Sequence, residues 1–128
     1  MTPLEKEILK LTTIWQHFVS VDHHKDRDCH WYIEQRWAYG EPHYYQAFHW
    51  GYIGDNFEGT KCTTLEEAQE ELRDRLALEI HKAKIWVTRN YEETKQLEES
   101  NSEEPFFGNS DEYVLMLHYL NGGEWKER

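Results

Sequence analysis

Long apolar runs are missing from this chain, and so is any surplus of positive charge. No stretch can span a bilayer, and the opening MTPLEKEILKL lacks the basic head and unbroken apolar core of a signal peptide. The chain is therefore expected in the cytoplasm, with no membrane contact. Fourteen basic residues stand against 25 acidic ones, a net charge of −11, and no Lys/Arg cluster stands out. Such a charge repels phosphates, so no direct nucleic-acid binding is expected. It suits a basic surface on another protein, including one that otherwise holds nucleic acid. Cysteine is scarce too. Cys29 and Cys62 fit neither a CxxC motif nor a small disulfide framework, and they read as reduced thiols in or near a sheet.

What is present is an aromatic and charged chain of 128 residues, with six Trp and eight Tyr. That length suits one domain over residues 1–128, large enough to bury a core without disulfides or a structural metal. Thr2, Pro3 and Glu5 form a helix start, with a hydroxyl cap, a proline that needs no amide donor and an acid that reaches back. Leu4, Ile8, Leu11, Trp15 and Phe18 then recur every three or four residues, which predicts a helix to about residue 19. After VDHHKDRD the period becomes two. Cys29, Trp31, Ile33, Trp37 and Tyr39 alternate with His30, Tyr32, Glu34, Arg36 and Ala38, as expected of a strand with one buried face.

GEPH at 40–43 reads as a hairpin loop, and YYQAFHWGYI returns with Tyr44, Phe48, Trp50 and Tyr52 on its bulky side. Pairing Tyr39 with Tyr44 puts the bulky residues of both strands on one face, and a one-residue slip would separate them. FEGTKC at 57–62 supplies a short third strand, weakened by Gly59. Thr64 to Glu67 is a capping box. From it Leu65, Ala68, Leu72, Leu76, Ile80, Ala83, Val87 and Tyr91 step along a long amphipathic helix, with Glu71 and Arg75 as a surface pair. Leu78, Ile85 and Trp86 lie off that stripe. They have two destinations: another part of the same chain, such as the C-terminal segment, or a seam between two copies.

Residues 92–112 hold eight acids and one lysine, and 97–110 read as a mobile acidic loop. Ser110 and Asp111 then cap a short apolar helix, EYVLMLHYLN, stopped by Gly122 and Gly123. Periodicity alone leaves a strand open there. The fold class is α+β: an N-terminal helix, a two- to three-stranded antiparallel sheet, a long helix packed on one sheet face and a short C-terminal helix. Leu72, Leu76 and Ile80 are expected to pack on Trp31, Ile33, Phe48 and Trp50. The order helix, three strands, helix resembles double-stranded-RNA-binding domains, and the strand followed by TLEEAQEEL resembles the N-terminal domain of HicB-type antitoxins. Both likenesses cover at most residues 3 to 83 and rest on element order and a common helix start, so no function is carried over.

The residues with metal-ligating chemistry are His23, His24, Asp26, Asp28 and His30, in the approach to the first strand. Their spacing matches no zinc or calcium motif, so they read as a polar loop, and no metal or cofactor is expected. None of Ser20, Ser100, Ser102 and Ser110 sits in a nucleophile elbow, Cys29 falls on the buried face, and Walker, GxGxxG and HExxH motifs are missing. The register instead favours the open sheet face. It sets His30, Tyr32, Glu34 and Arg36 beside Tyr45, Ala47, His49 and Gly51, with Glu34 opposite His49 at about 5 Å between β-carbons. Tyr32 and Arg36 then face Gly51 and Ala47, leaving room for a ring or a partner side chain. The expected function is a small non-enzymatic binding protein, an accessory inhibitor or adaptor of the kind found in phages and bacteria. It would use that face together with an acidic surface at Glu98, Glu99, Glu103 and Glu104. A nucleotide-like small ligand on the same face is the alternative, and a metal-dependent hydrolase the third reading.

Overall fold

The computed structural model describes residues 1–22, 30–37, 39–40, 43–51, 55–100 and 110–126. Helix α1, Pro3–Asp22, starts where the capping residues place it. The Glu5 amide donates to the Thr2 hydroxyl at 3.1 Å, and the Thr2 amide donates back to the Glu5 carboxylate at 3.3 Å. The same device opens α2, Leu65–Ser100, where the Glu67 amide donates to the Thr64 hydroxyl at 3.2 Å. At 36 residues, about ten turns, α2 runs well past Tyr91 and takes in 97–100, which the sequence reading gave to the acidic loop. The rest of that loop, 101–109, lies outside the described residues. The segment left open between helix and strand is a helix, α3, Ser110–Leu120. It ends in a Schellman turn, with Gly122 at φ 86° and the Gly123 amide donating to the His118 carbonyl at 2.8 Å.

The sheet is antiparallel and ordered β1 (His30–Arg36), β2 (Tyr44–Trp50), β3 (Phe57–Glu58). Its register differs from the expected one. His30 pairs with Trp50, Tyr32 with Phe48, Glu34 with Gln46 and Arg36 with Tyr44. β1 and β2 are therefore joined across 37–43, and Trp37 and Tyr39 are exposed there. The shift amounts to three positions, and an odd shift turns β2 over. Tyr45, Ala47 and His49 face the helices with Trp31 and Ile33, while Tyr44, Phe48 and Trp50 share the outer face with His30, Tyr32, Glu34 and Arg36. Ala47 is fully buried on a strand that α2 packs against. A side chain this small lets the helix come close, which a ring there would prevent.

Beyond β3 the pairing resumes only at Cys62, opposite Tyr45, so three residues face two and form a bulge. Glu71 serves it, accepting from the Thr60 amide at 3.0 Å and the Thr60 hydroxyl at 2.7 Å. Gly59 passes so close that a β-carbon would lie 2.9 Å from the Ala47 carbonyl oxygen. Glu71 is thus not the partner of Arg75, which pairs with Glu79 at 3.2 Å. The main core is where α1, α2 and α3 meet. Trp15, Phe18, Leu76, Ile80, Val87, Met116, Tyr119 and Leu120 form it, with Trp31 packed against it from the sheet. Phe48 and Trp50 take no part.

Candidate partner-binding face

The outer face of the sheet is built from cross-strand pairs. Tyr32 stacks on Phe48 with ring centroids 5.4 Å apart, and His30 lies parallel to Trp50 at 6.3 Å. Each such pair adds about 0.2 to 1 kcal/mol to the hairpin. Arg36 lies over Phe48, 5.4 Å from the ring centroid, and is ion-paired with Glu34 on the same strand. That pair and its hydrogen bond raise the Arg36 pKa above its usual value. Lys61 sits 4.9 Å from the centroid of Tyr44. Gln46, at the centre, donates to the Gly59 carbonyl at 2.7 Å and fixes the floor. Tyr32 and Trp50 keep 39% and 50% of their surface exposed.

Four of the expected site residues, His30, Tyr32, Glu34 and Arg36, come together here. Tyr45 and His49 do not. His49 is 2% exposed, stacked on Trp31 at 4.0 Å and met edge-on by Trp15 at 5.7 Å. The expected Glu34–His49 contact is therefore absent, because the two side chains point to opposite sides of the sheet. His49 Nδ1 lies 2.8 Å from the Asp55 carbonyl, which can only accept, so Nδ1 carries the proton. Beside it, Glu79 is 3% exposed and held by Arg75 and by Lys82 at 3.3 Å, and Lys82 also reaches Asp55 at 3.0 Å.

Burial lowers the His49 pKa, although the Asp55 carbonyl and Glu79 oppose the shift; burial lowers that of His17 as well. A histidine with a depressed native pKa binds fewer protons folded than unfolded, so stability is full above the unfolded value of about 6.5 and falls as pH drops below it. Urea midpoints should therefore decrease from pH 7 to pH 5 in the wild type. The decrease should flatten when His17→Gln and His49→Gln are combined. A wild-type midpoint that is level or rises toward pH 5 would contradict this.

The acidic surface is only partly a free one. Glu98 accepts from the Ser110 amide at 3.1 Å and the Ser110 hydroxyl at 3.0 Å, which lowers its pKa and caps α3. Glu99 is exposed on the last turn of α2, and Glu103 and Glu104 lie outside the described residues. Of the off-stripe patch, Trp86 meets Tyr113 of α3 edge-on at 6.3 Å, while Leu78 and Ile85 stay about half exposed. The His/Asp loop 22–30 is described only at its ends. No group of three or more His, Cys, Asp or Glu able to hold a metal occurs among the described residues.

Sequence reasoning missed Phe48, Trp50 and Tyr44 as members of this face. The signal that could have found them is Ala47, which suits a position under a helix better than one in the open. Beside the face, Thr12, Gln16, His30, Trp31 and Tyr32 line a groove of about 350 Å³. Among the described residues no helix is long and apolar enough to cross a membrane. Comparison of the chain with protein-family models, curated proteins and solved structures finds no match.

Proposed function

We propose that this chain is a non-enzymatic binding protein, an inhibitor or adaptor, that docks a basic protein surface on the outer face of its sheet. The observation that carries this reading is the aromatic outer face itself: Tyr32, Phe48 and Trp50 sit there while the core is filled without them. Large apolar residues grouped on a surface mark interaction sites more often than single exposed ones do. Two rings of the face, Phe48 and Tyr44, are already covered by the chain's own Arg36 and Lys61, so a partner's cation would meet the exposed surface of Tyr32 and Trp50 instead. The net charge of −11 adds attraction at a distance.

An arginine-rich nonapeptide titrated into ¹⁵N-labelled protein tests it. Shifts should centre on Tyr32, Phe48 and the Trp50 indole, and affinity should fall as salt screens the long-range term. Shifts confined to the acidic end of α2 would contradict the reading. A small nucleotide-like ligand is the second reading, favoured by the groove that joins His30 and Tyr32 to Thr12 and Gln16. Native mass spectrometry of protein purified from cells separates the two, because a retained small molecule would appear as a fixed mass increment.

A further inference from the structure

A second groove, distinct from the sheet face, lies between α1 and the segment that follows α3. Its volume is about 400 Å³, within the range of small-molecule sites. One wall is the exposed side of α1, with Lys6, Leu9, Lys10, Ile14 and His17; the other carries Trp125. The tail that brings Trp125 there is fastened at several points. Gly123 lies against the His118 imidazole so closely that a β-carbon would come within 2.2 Å of it. His118 Nε2 meets the Glu124 carbonyl at 2.8 Å, and the Lys126 amide donates to the Tyr119 hydroxyl at 3.0 Å. Trp125 consequently stacks on Tyr119, with centroids 5.5 Å apart and planes 13° from parallel, and leans on His17 at 4.8 Å. A wall held in this way loses little freedom when a ligand arrives.

The chemistry of the groove is uneven. Trp125 and Leu9 remain 51% and 54% exposed, so flat apolar surface is left open. Lys6 and Lys10 stand one turn apart on α1, a spacing at which like charges on a helix repel. Neither makes an ion pair among the described residues, although acids outnumber bases 25 to 14 in the chain. The nearest acids in sequence are engaged elsewhere: Glu5 closes the helix cap and Glu7 pairs with Arg73 at 3.6 Å. Glu124 lines the groove but makes no ion pair with either lysine. A single negative charge placed between the two ammonium groups would turn their repulsion into attraction. Polyanions are disfavoured by Glu124 and by the net charge of −11.

We propose that this groove binds a small aromatic carboxylate, its ring against Trp125 and His17 and its carboxylate between Lys6 and Lys10. His17 has no hydrogen-bond partner on its ring among the described residues, and burial keeps it neutral near pH 7, so it can serve a polar substituent of the ligand. The site is independent of the sheet face and does not rest on the protein-binding reading.

The test uses the full chain and 2-naphthoate as probe, followed by Trp fluorescence and ¹⁵N shifts. The expected result is saturable binding with a Kd of about 1 mM or tighter. Shifts should map to residues 6–17 and 122–125, and the neutral 2-naphthalenemethanol should bind at least about tenfold more weakly. Lys6→Gln with Lys10→Gln should weaken naphthoate by a similar factor. Leu9→Glu, at an exposed position that leaves the core untouched, should abolish it. No saturable binding, equal affinity for acid and alcohol, or shifts that fall on Tyr32 and Trp50 instead would each overturn the proposal.

Discussion

Replacing Leu76 by alanine should cost the fold about 2 to 5 kcal/mol. Leu76 is fully buried on α2 in the cluster that Trp15 and Phe18 of α1 and Met116, Tyr119 and Leu120 of α3 complete. Three helices meet there, each capped at its start: α1 by Thr2, α2 by Thr64 and α3 through the contact of Ser110 with Glu98. A site walled by anchored helices cannot close over a lost isopropyl group, so the cavity term adds to the lost transfer energy. Against a typical domain stability of about 5 to 15 kcal/mol, the loss would be visible as a large drop in urea midpoint at unchanged slope. A loss below about half a kcal/mol is what an exposed position would give. That outcome would mean that α2 does not face α1 and α3.

The second large effect concerns binding and not folding. Tyr32→Ala combined with Trp50→Ala should weaken the arginine-rich peptide by at least about 30-fold, since exposed aromatic anchors at interface centres carry about 2 kcal/mol or more when truncated. Stability should change far less. Both rings stand outside the core, and what is lost is cross-strand contact with Phe48 and His30, about 1 kcal/mol or less for each pair. Leu78→Ala with Ile85→Ala is the control, because these residues are comparably exposed but lie on α2 away from the sheet pairs. The control should bind the peptide as the wild type does. If it loses affinity while the sheet variant keeps it, the off-stripe patch is the interface.

The helices were legible in the sequence because each carries its own signals. Thr2 and Glu5, Thr64 and Glu67, and the Gly122–Gly123 stop act within a few residues, and stripes at three- and four-residue spacing name the buried faces. The strand order followed from the alternation and the turn residues. The register did not, and the reason is physical. Side-chain size, as the mark of burial, puts Phe48 and Trp50 inward and Ala47 and His49 outward. In the fold the demand for large apolar groups is met by the three helices, and what the sheet must give α2 is room. Ala47 provides it, and a neutral His49 fills the rest as an aromatic ring between Trp31 and Trp15. These are long-range facts, at which the small Ala47 in the strand only hints. Half of the expected face survived the turnover because β1 kept its orientation. The half drawn from β2 was replaced by its neighbours, one position along each.

Photo-crosslinking in living cells addresses the outer face most directly. A photoreactive amino acid is placed at position 32 or 50 on the face, or at 78 or 85 on α2, and the adducts are identified by mass spectrometry. The expected result is one basic protein joined to positions 32 and 50 and absent from 78 and 85. Adducts that form only from 78 and 85, or that join two copies of this chain at those positions, would contradict the outer face as the binding surface.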